Sequence, residues 1–163
     1  MTKNSEHRGF SLIELLIVVA IILVIAAIAI PNLMRSRAAA NQASAIQSLR
    51  MVNTAEVAYS STYGAGFSST LLQLGPPASG ASASSAAAGL VDSVLAGGFK
   101  SGYAFSYSPG AADPKGNYQG YRVTGSPAQP GTSGSTYYYT DQTDVIRGNI
   151  TGTASSTDSS VAQ

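Results

Sequence analysis

The sequence predicts an α+β protein in which one long N-terminal α-helix packs, through its second half, on a small antiparallel β-sheet. Residues 10–30 are apolar or small and contain a single carboxylate, Glu14, and residues 33–63 continue without glycine or proline. From Lys100 onward, apolar residues alternate with small ones, which is the period of a strand. A helical run followed by such strands favours a helix layered on an antiparallel sheet.

The composition excludes several classes of site. The 163 residues include no cysteine, which excludes disulfides, thiol catalysis and cysteine-bound zinc. The single histidine, His7, lies in the polar N-terminal stretch, so most general-base mechanisms lack their usual residue. The net charge is +1 and the lysines and arginines are scattered, so no nucleic-acid partner is indicated. We therefore predict that the chain is not an enzyme and has no cofactor.

Residues 10–30, which we call the apolar segment, are long enough to cross a membrane as a helix. At about 1.5 Å per residue, the segment extends roughly 32 Å, and the hydrocarbon core of a bilayer is about 30 Å thick. An ionised carboxylate in lipid costs at least about 2.5–3.5 kcal/mol. No lysine or arginine lies within the segment to pair with Glu14, so Glu14 needs a partner from elsewhere.

Residues 1–9 form a short polar stretch that contains Lys3, His7 and Arg8. Basic residues ahead of an apolar segment predict a cytoplasmic N-terminus. A conventional secretory signal has an apolar stretch of about 7–15 residues followed by a small-residue cleavage site. The stretch here is longer and is followed by Pro31 rather than by such a site, so a conventional cleaved signal is not predicted.

The sequence GFSLIEL, which begins at Gly9, resembles the processing site of class III signal peptides, which type IV pilins and type II secretion pseudopilins carry. The resemblance extends through the apolar segment and Pro31 to about Tyr63. It implies the pilin fold, and it implies that a prepilin peptidase cuts between Gly9 and Phe10 and removes residues 1–9 as a leader. The new α-amine of Phe10 would then be N-methylated.

The same resemblance implies an assembly role for Phe10, Glu14 and Pro31. The Glu14 carboxylate of one subunit would neutralise the Phe10 α-amine of a neighbour, and the helix would bend and loosen near Pro31 as subunits pack. Removing one partner of a buried ion pair typically costs about 3–5 kcal/mol, so the pairing would favour correct register. From the residues alone, Glu14 also fits an acid that reaches the lipid headgroups, and Pro31 a helix terminus.

Residues 31–63 are predicted to continue the helix as an amphipathic segment that ends at Gly64, because glycine commonly stops a helix. Apolar residues recur there at spacings of three, four and seven, which makes a stripe able to face a sheet. The stripe consists of Ala38, Ala45, Leu49, Val52 and Tyr59.

Residues 64–102 are predicted to form a variable connection between helix and sheet, and residues 103–150 to form the sheet. Three or four short strands are predicted where aromatic and β-branched residues recur with period two. These strands are at 103–107, 121–124, 136–140 and 144–147. Residues 151–163, rich in serine, threonine and glycine, are predicted to be disordered because they bury too little apolar surface.

Two features of the predicted sheet leave alternatives open. Asp141 and Asp144 fit a turn, where aspartate is common, and they also fit a calcium site, although the EF-hand pattern is absent. Seven of the nine tyrosines lie at or after Tyr103. They fit sheet packing, and they also fit a platform for a ligand.

Together these observations predict a structural subunit of a type IV pilus or pilus-like filament, a helical homo-oligomer built through the N-terminal helix. The alternatives are a type II secretion pseudopilin and a single-pass membrane-anchored protein with a binding role outside any filament. The resemblance implies three partners: a prepilin peptidase, an inner-membrane assembly platform and, indirectly, an assembly ATPase. It places the chain in the inner membrane with its N-terminus in the cytoplasm, and afterwards in an extracellular pilus or a periplasmic pseudopilus.

Overall fold

The computed structural model describes residues 10–161. The predicted leader and the cleavage residue Gly9 therefore lie outside the described residues. The chain divides into an N-terminal unit that ends at Ser36 and a second unit that begins at Arg37. We call the second unit the head.

Helix α1 runs from Leu12 to Tyr63 and includes Pro31. Proline has no N–H, so one bond of the helical ladder is missing at Pro31, but the residues on both sides remain helical. The helix ends where predicted. Gly64 has a φ of +63° and donates its N–H to the carbonyl of Ser60 at 3.0 Å, a left-handed stop that glycine adopts without steric cost.

The head contains five antiparallel strands whose order in the sheet follows their order in the chain. The strands are β1 (Phe99–Lys100), β2 (Tyr103–Pro109), β3 (Tyr121–Pro127), β4 (Tyr137–Asp141) and β5 (Arg147–Asn149). One face of this sheet packs on the part of α1 that lies in the head. The predicted fold class, a long helix packed on a small antiparallel sheet, is confirmed.

Four of the five residues of the predicted apolar stripe of α1 lie in the core of the head, whereas Ala38 is only partly buried and lies outside it. Ala45, Leu49 and Val52 are fully buried, and Tyr59 is nearly so. They pack with side chains from the sheet, among them Tyr103 and residues of β3. Burying one large apolar side chain contributes about 1.5–3 kcal/mol, so this stripe is what attaches the helix to the sheet.

The connection between α1 and the sheet contains two short helical elements. A 3₁₀ helix spans Leu71–Leu74, and helix α2 spans Ser93–Ala96. Asp92 begins α2 by accepting a hydrogen bond from the Leu95 N–H at 2.9 Å, which satisfies a backbone donor that the first helical turn leaves free.

The strand predicted at 144–147 differs from the structure. Asp144 has a φ of +63° and donates its N–H to the carbonyl of Asp141 at 3.0 Å. The predicted strand would have begun inside this tight turn, so β5 begins only at Arg147. The alternating pattern of Asp144-Val145-Ile146 reflects the burial of Ile146 in the core, not pairing in the sheet.

The C-terminal residues also differ from the prediction of disorder. Up to Val161, the chain returns along β5: the Val161 N–H donates to the carbonyl of Ile146 at 2.9 Å, and the Gly148 N–H donates to the carbonyl of Ser159 at 3.0 Å. Ala154 is buried. The edge of β5 has unpaired backbone groups. Hydrogen bonds to these groups hold the C-terminal segment in place, although the composition of that segment does not by itself favour an ordered structure.

Candidate assembly segment and the polar groups of the head

The apolar segment exposes its side chains on every side. Among the large hydrophobic residues from Phe10 to Met34, each side chain is between 46% and 81% exposed. Soluble monomers rarely expose apolar patches larger than a few hundred Å². The segment is long and apolar enough to cross a membrane, and its surface requires either lipid or protein to cover it.

Glu14 lies in the first turn of α1 and accepts a hydrogen bond from the Ser11 N–H, at 3.0 Å on Oε2. Ser11 and Glu14 have the spacing of a capping box, in which a carboxylate three residues into the helix satisfies the backbone donor of the cap. The carboxylate also lies at the positive end of the helix dipole. The Ser-x-x-Glu spacing was visible in the sequence, but its capping function was not predicted.

Glu14 has no cation to pair with in the part of the chain that the structure describes. Within residues 10–161 the one ion pair joins Lys100 and Asp92, at 2.7 Å. The cap uses Oε2 of Glu14, and no donor among residues 10–161 occupies Oε1. The carboxylate is therefore held in a fixed place and still has one oxygen available.

The structure places the other predicted site residues along the same unit. Phe10 is 79% exposed and lies four residues before Glu14, just ahead of the start of α1. Pro31 follows Glu14 by 17 residues, or about 26 Å along a helix. Gly9 is outside the described residues, so the geometry of the cleavage site is not described.

The head contains a buried carboxylate, Glu56, that was not predicted from the sequence. Its side chain is fully buried and accepts three hydrogen bonds: Oε1 from the hydroxyls of Ser68 and Tyr107, both at 2.6 Å, and Oε2 from the Ser68 N–H at 2.9 Å. A buried charge is tolerated only when such partners compensate its lost hydration. Burial, followed by the charge of Glu56, raises the pKa of the Tyr107 hydroxyl well above its usual value.

A second buried polar group, Asn53, joins α1 to two strands. Its Nδ2 donates to Thr140 Oγ1 at 2.9 Å, and its Oδ1 accepts from the Tyr121 hydroxyl at 3.1 Å. Asn53 and Glu56 are one turn apart and lie within the buried stripe. Their spacing from Val52 and Tyr59 could have indicated their burial, but polar residues on a helix usually face water.

The geometry around Asp141 is that of a turn. Oδ1 accepts hydrogen bonds from Thr143 N–H at 2.9 Å and Thr143 Oγ1 at 2.6 Å, and Oδ2 accepts one from the Tyr139 hydroxyl at 3.2 Å. Burial alone would raise the pKa of this carboxyl, but these hydrogen bonds hold it below its usual value. In the described residues no three acidic, histidine or cysteine side chains cluster as metal ligands would.

Comparisons with known proteins identify the N-terminal sequence. The family model described as "Prokaryotic N-terminal methylation motif" matches residues 4–30. A protein of Myxococcus xanthus strain DK1622 named "Type IV major pilin protein PilA" is 48% identical over 56 residues, which is 34% of this chain and 26% of that protein. No solved structure matches.

The match to the Myxococcus protein spans about a quarter of that relative's length, and the family model covers the apolar segment with part of the predicted leader. These two findings confirm the resemblance predicted from the sequence: the chain carries the prepilin-type N-terminal methylation motif, and a stretch of 56 residues is similar to part of a type IV major pilin.

Proposed function

We propose that this chain is a structural subunit of a type IV pilus or pilus-like filament, released by a prepilin peptidase that cuts between Gly9 and Phe10. The observation that carries the proposal is the apolar segment, exposed on all sides, with one capped carboxylate, Glu14, at its start. A membrane covers this surface before assembly, and the helices of other subunits cover it afterwards.

Glu14 acts in assembly by pairing with the Phe10 α-amine of a neighbouring subunit. The cut creates this amine, which is a cation at neutral pH. Its partner carboxylate is already oriented by the Ser11 N–H, and Oε1 is free to receive the amine. The pairing removes two isolated charges from apolar surroundings, which favours a filament over separate subunits.

The remaining roles follow from this assignment. The chain inserts in the inner membrane with its N-terminus in the cytoplasm, where the peptidase cuts and the Phe10 amine is methylated. An inner-membrane platform, driven by an assembly ATPase, then moves subunits into the filament. Pro31 gives α1 a place to loosen as the helices pack, because one bond of the ladder is already absent there. The role is structural and not enzymatic.

The test is the intact mass and N-terminal sequence of the chain from two fractions, sheared surface filaments and membranes. A chain that begins at methylated Phe10 and dominates the sheared filaments supports the pilus. A processed chain confined to the cell envelope indicates a type II secretion pseudopilus instead. A chain that keeps its leader in both fractions contradicts the proposal and leaves a single-pass anchored protein.

A further inference from the structure

The two edges of the sheet are protected in different ways. β1, at one edge, is only two residues long and contains Lys100, and a short edge strand with a lysine offers little backbone for another strand to pair with. β5, at the other edge, contains no lysine and no proline. Its outer side is instead covered by residues 158–161, which we call the strap.

The strap pairs with β5 through the backbone. The Gly148 N–H donates to the carbonyl of Ser159 at 3.0 Å. The Val161 N–H donates to the carbonyl of Ile146 at 2.9 Å. Ser160, between these bonds, forms an antiparallel bridge with β5, and its own N–H points away from the strand because bonded and non-bonded pairs alternate in such a ladder. The strap therefore uses the donor and the acceptor through which β5 would pair with another strand.

Side chains hold the strap at its start. Asp158 accepts hydrogen bonds on Oδ1 from Asn149 Nδ2 at 2.9 Å and on Oδ2 from the Ser155 N–H at 2.7 Å. Its backbone carbonyl accepts from the Arg147 guanidinium at 2.9 Å. Two of these bonds come from the first and last residues of β5, so they fix the strap in register with the strand.

The close approach of the strap depends on a glycine in β5. A Cβ added at Gly148 would lie 2.8 Å from Val161 Cγ1, so a side chain at this position would push the strap outward. Val161 is partly buried and packs against the core of the head, whereas Ser159 and Ser160 are exposed. The strap is held by a few directed contacts and little burial, which are the conditions under which a segment opens locally without unfolding of the whole domain.

We propose that the strap is an autoinhibitory contact: it occupies the outer edge of β5 and so prevents this edge from pairing with the β5 edge of a second copy of the chain. An open edge strand is a template for such pairing, and a second β5 would use the same Gly148 N–H and Ile146 carbonyl. A filament holds many heads close together, where open edges would pair most readily. That last point rests on the proposed function, whereas the strap contacts do not.

The test compares two proline substitutions in the full chain in detergent micelles. Val161→Pro removes the N–H that bonds to β5, whereas Ser160→Pro removes one that points away from it and is the matched control. Amide hydrogen exchange of Gly148, measured in dilute samples, reports opening of the strap. Val161→Pro is expected to speed this exchange about tenfold, from the loss of one backbone hydrogen bond and of the Val161 contacts, and Ser160→Pro is expected to leave it at the wild-type rate.

The second measurement is sedimentation of the same chains as their concentration is raised. Val161→Pro is expected to form dimers in which Gly148 exchange slows again, because a second β5 then covers the edge. A chain shortened to end at Asp158 opens the edge without any proline and is expected to do the same. The wild type and Ser160→Pro have the same α1 and are expected to show no such change at Gly148, which excludes association through α1 as its cause.

Two results would overturn the proposal. One is an unchanged rate of Gly148 exchange in Val161→Pro and in the shortened chain, because the strap would then not cover the edge. The other is fast exchange in both chains with no more association than in the wild type at any concentration, because an open edge would then not pair. Both readouts come from separate chains in micelles, so they stand apart from the outcome of the filament test.

Discussion

The Tyr107 hydroxyl donates a 2.6 Å hydrogen bond to the Glu56 carboxylate, which joins strand β2 to the C-terminal part of α1. Ser68, from the loop that follows the helix, donates to the same carboxylate through its N–H and its hydroxyl. Three separate parts of the head therefore meet at one buried charge. If the carboxylate were removed, the Ser68 N–H would be left unpaired, whereas the hydroxyls of Tyr107 and Ser68 would keep the carbonyls of Ser68 and Thr70 as acceptors.

Glu56→Ala is expected to destabilise the head by about 3 kcal/mol or more, because it leaves a cavity and removes the partner of the buried Ser68 N–H. The measurement is chemical or thermal unfolding of the full chain in micelles. Val57→Ala is the matched control, since Val57 is the next residue on α1 and is 64% exposed. Equal effects of the two substitutions would contradict a structural role for the Glu56 contacts.

The head is expected to lose stability as the pH rises above about 10, the usual pKa of tyrosine. Burial raises the pKa of Tyr103, Tyr107 and Tyr121, so the folded head keeps these phenols neutral. The unfolded chain releases their protons from about pH 10, which favours unfolding at higher pH. Tyrosinate absorbance is expected to rise in two steps, the second coinciding with loss of circular dichroism.

A Tyr107→Phe variant tests the source of this alkaline sensitivity. It is expected to be less stable at neutral pH, because Glu56 loses a donor, but its stability is expected to fall less steeply above pH 10. If all tyrosines of the wild type titrated in one step with the head still folded, the assignment of buried phenols would be wrong.

Glu14→Gln and Glu14→Leu separate the two roles of this side chain. The glutamine keeps an oxygen that can accept from the Ser11 N–H but lacks the charge, whereas leucine removes both. Both variants are expected to reduce sheared filaments strongly, since the Phe10 amine would be left unpaired at a cost of about 3–5 kcal/mol. Ile13→Val, a conservative change at the adjacent exposed residue, is the control for expression and insertion.

Filament yield and membrane insertion are to be measured in parallel for these variants. Loss of filaments with normal insertion and cleavage is the expected result. Wild-type filament levels in Glu14→Gln would show that the charge is not needed and that capping is the main role of Glu14.

Gly66→Ala is expected to destabilise the head by about 3 kcal/mol, from two sources. Gly66 has a φ of +72°, and an added Cβ would lie 2.2 Å from the carbonyl oxygen of Tyr118. Gly80→Ala isolates the first source, because Gly80 has a φ of +83° and no atom within 4 Å of its Cβ position. It is expected to cost only about 1–2 kcal/mol; a cost as large as that of Gly66→Ala would contradict the close approach to Tyr118.

The elements that the sequence predicted well are those that local interactions determine. The apolar segment, the continuous helix and its end at Gly64 depend on residue type and spacing along one stretch of chain. The same holds for the strands at Tyr103 and Tyr121, whose alternation of large and small residues is local. The N-terminal motif was also readable, because GFSLIEL is contiguous.

The capping of α1 by Glu14 could have been predicted from the Ser-x-x-Glu spacing in the sequence. It was not, because the unpaired charge of Glu14 was interpreted only as a contact with a neighbouring subunit. In the structure, this carboxylate caps the N-terminus of its own helix. The proposed pairing with a neighbouring subunit is compatible with this cap, since it would use the other oxygen.

Several features were decided only by the tertiary structure. Glu56 and Asn53 are buried because partners far along the chain reach them, and no local pattern contains those partners. The residues up to Val161 are ordered because β5 offers an edge to pair with. Tyr138 faces the core while Tyr139 faces outward because strand register against β3 assigns the faces. Sequence alone determined the long helix and the three central strands; contacts between distant segments decided the two edge strands and which polar groups the elements bury or present.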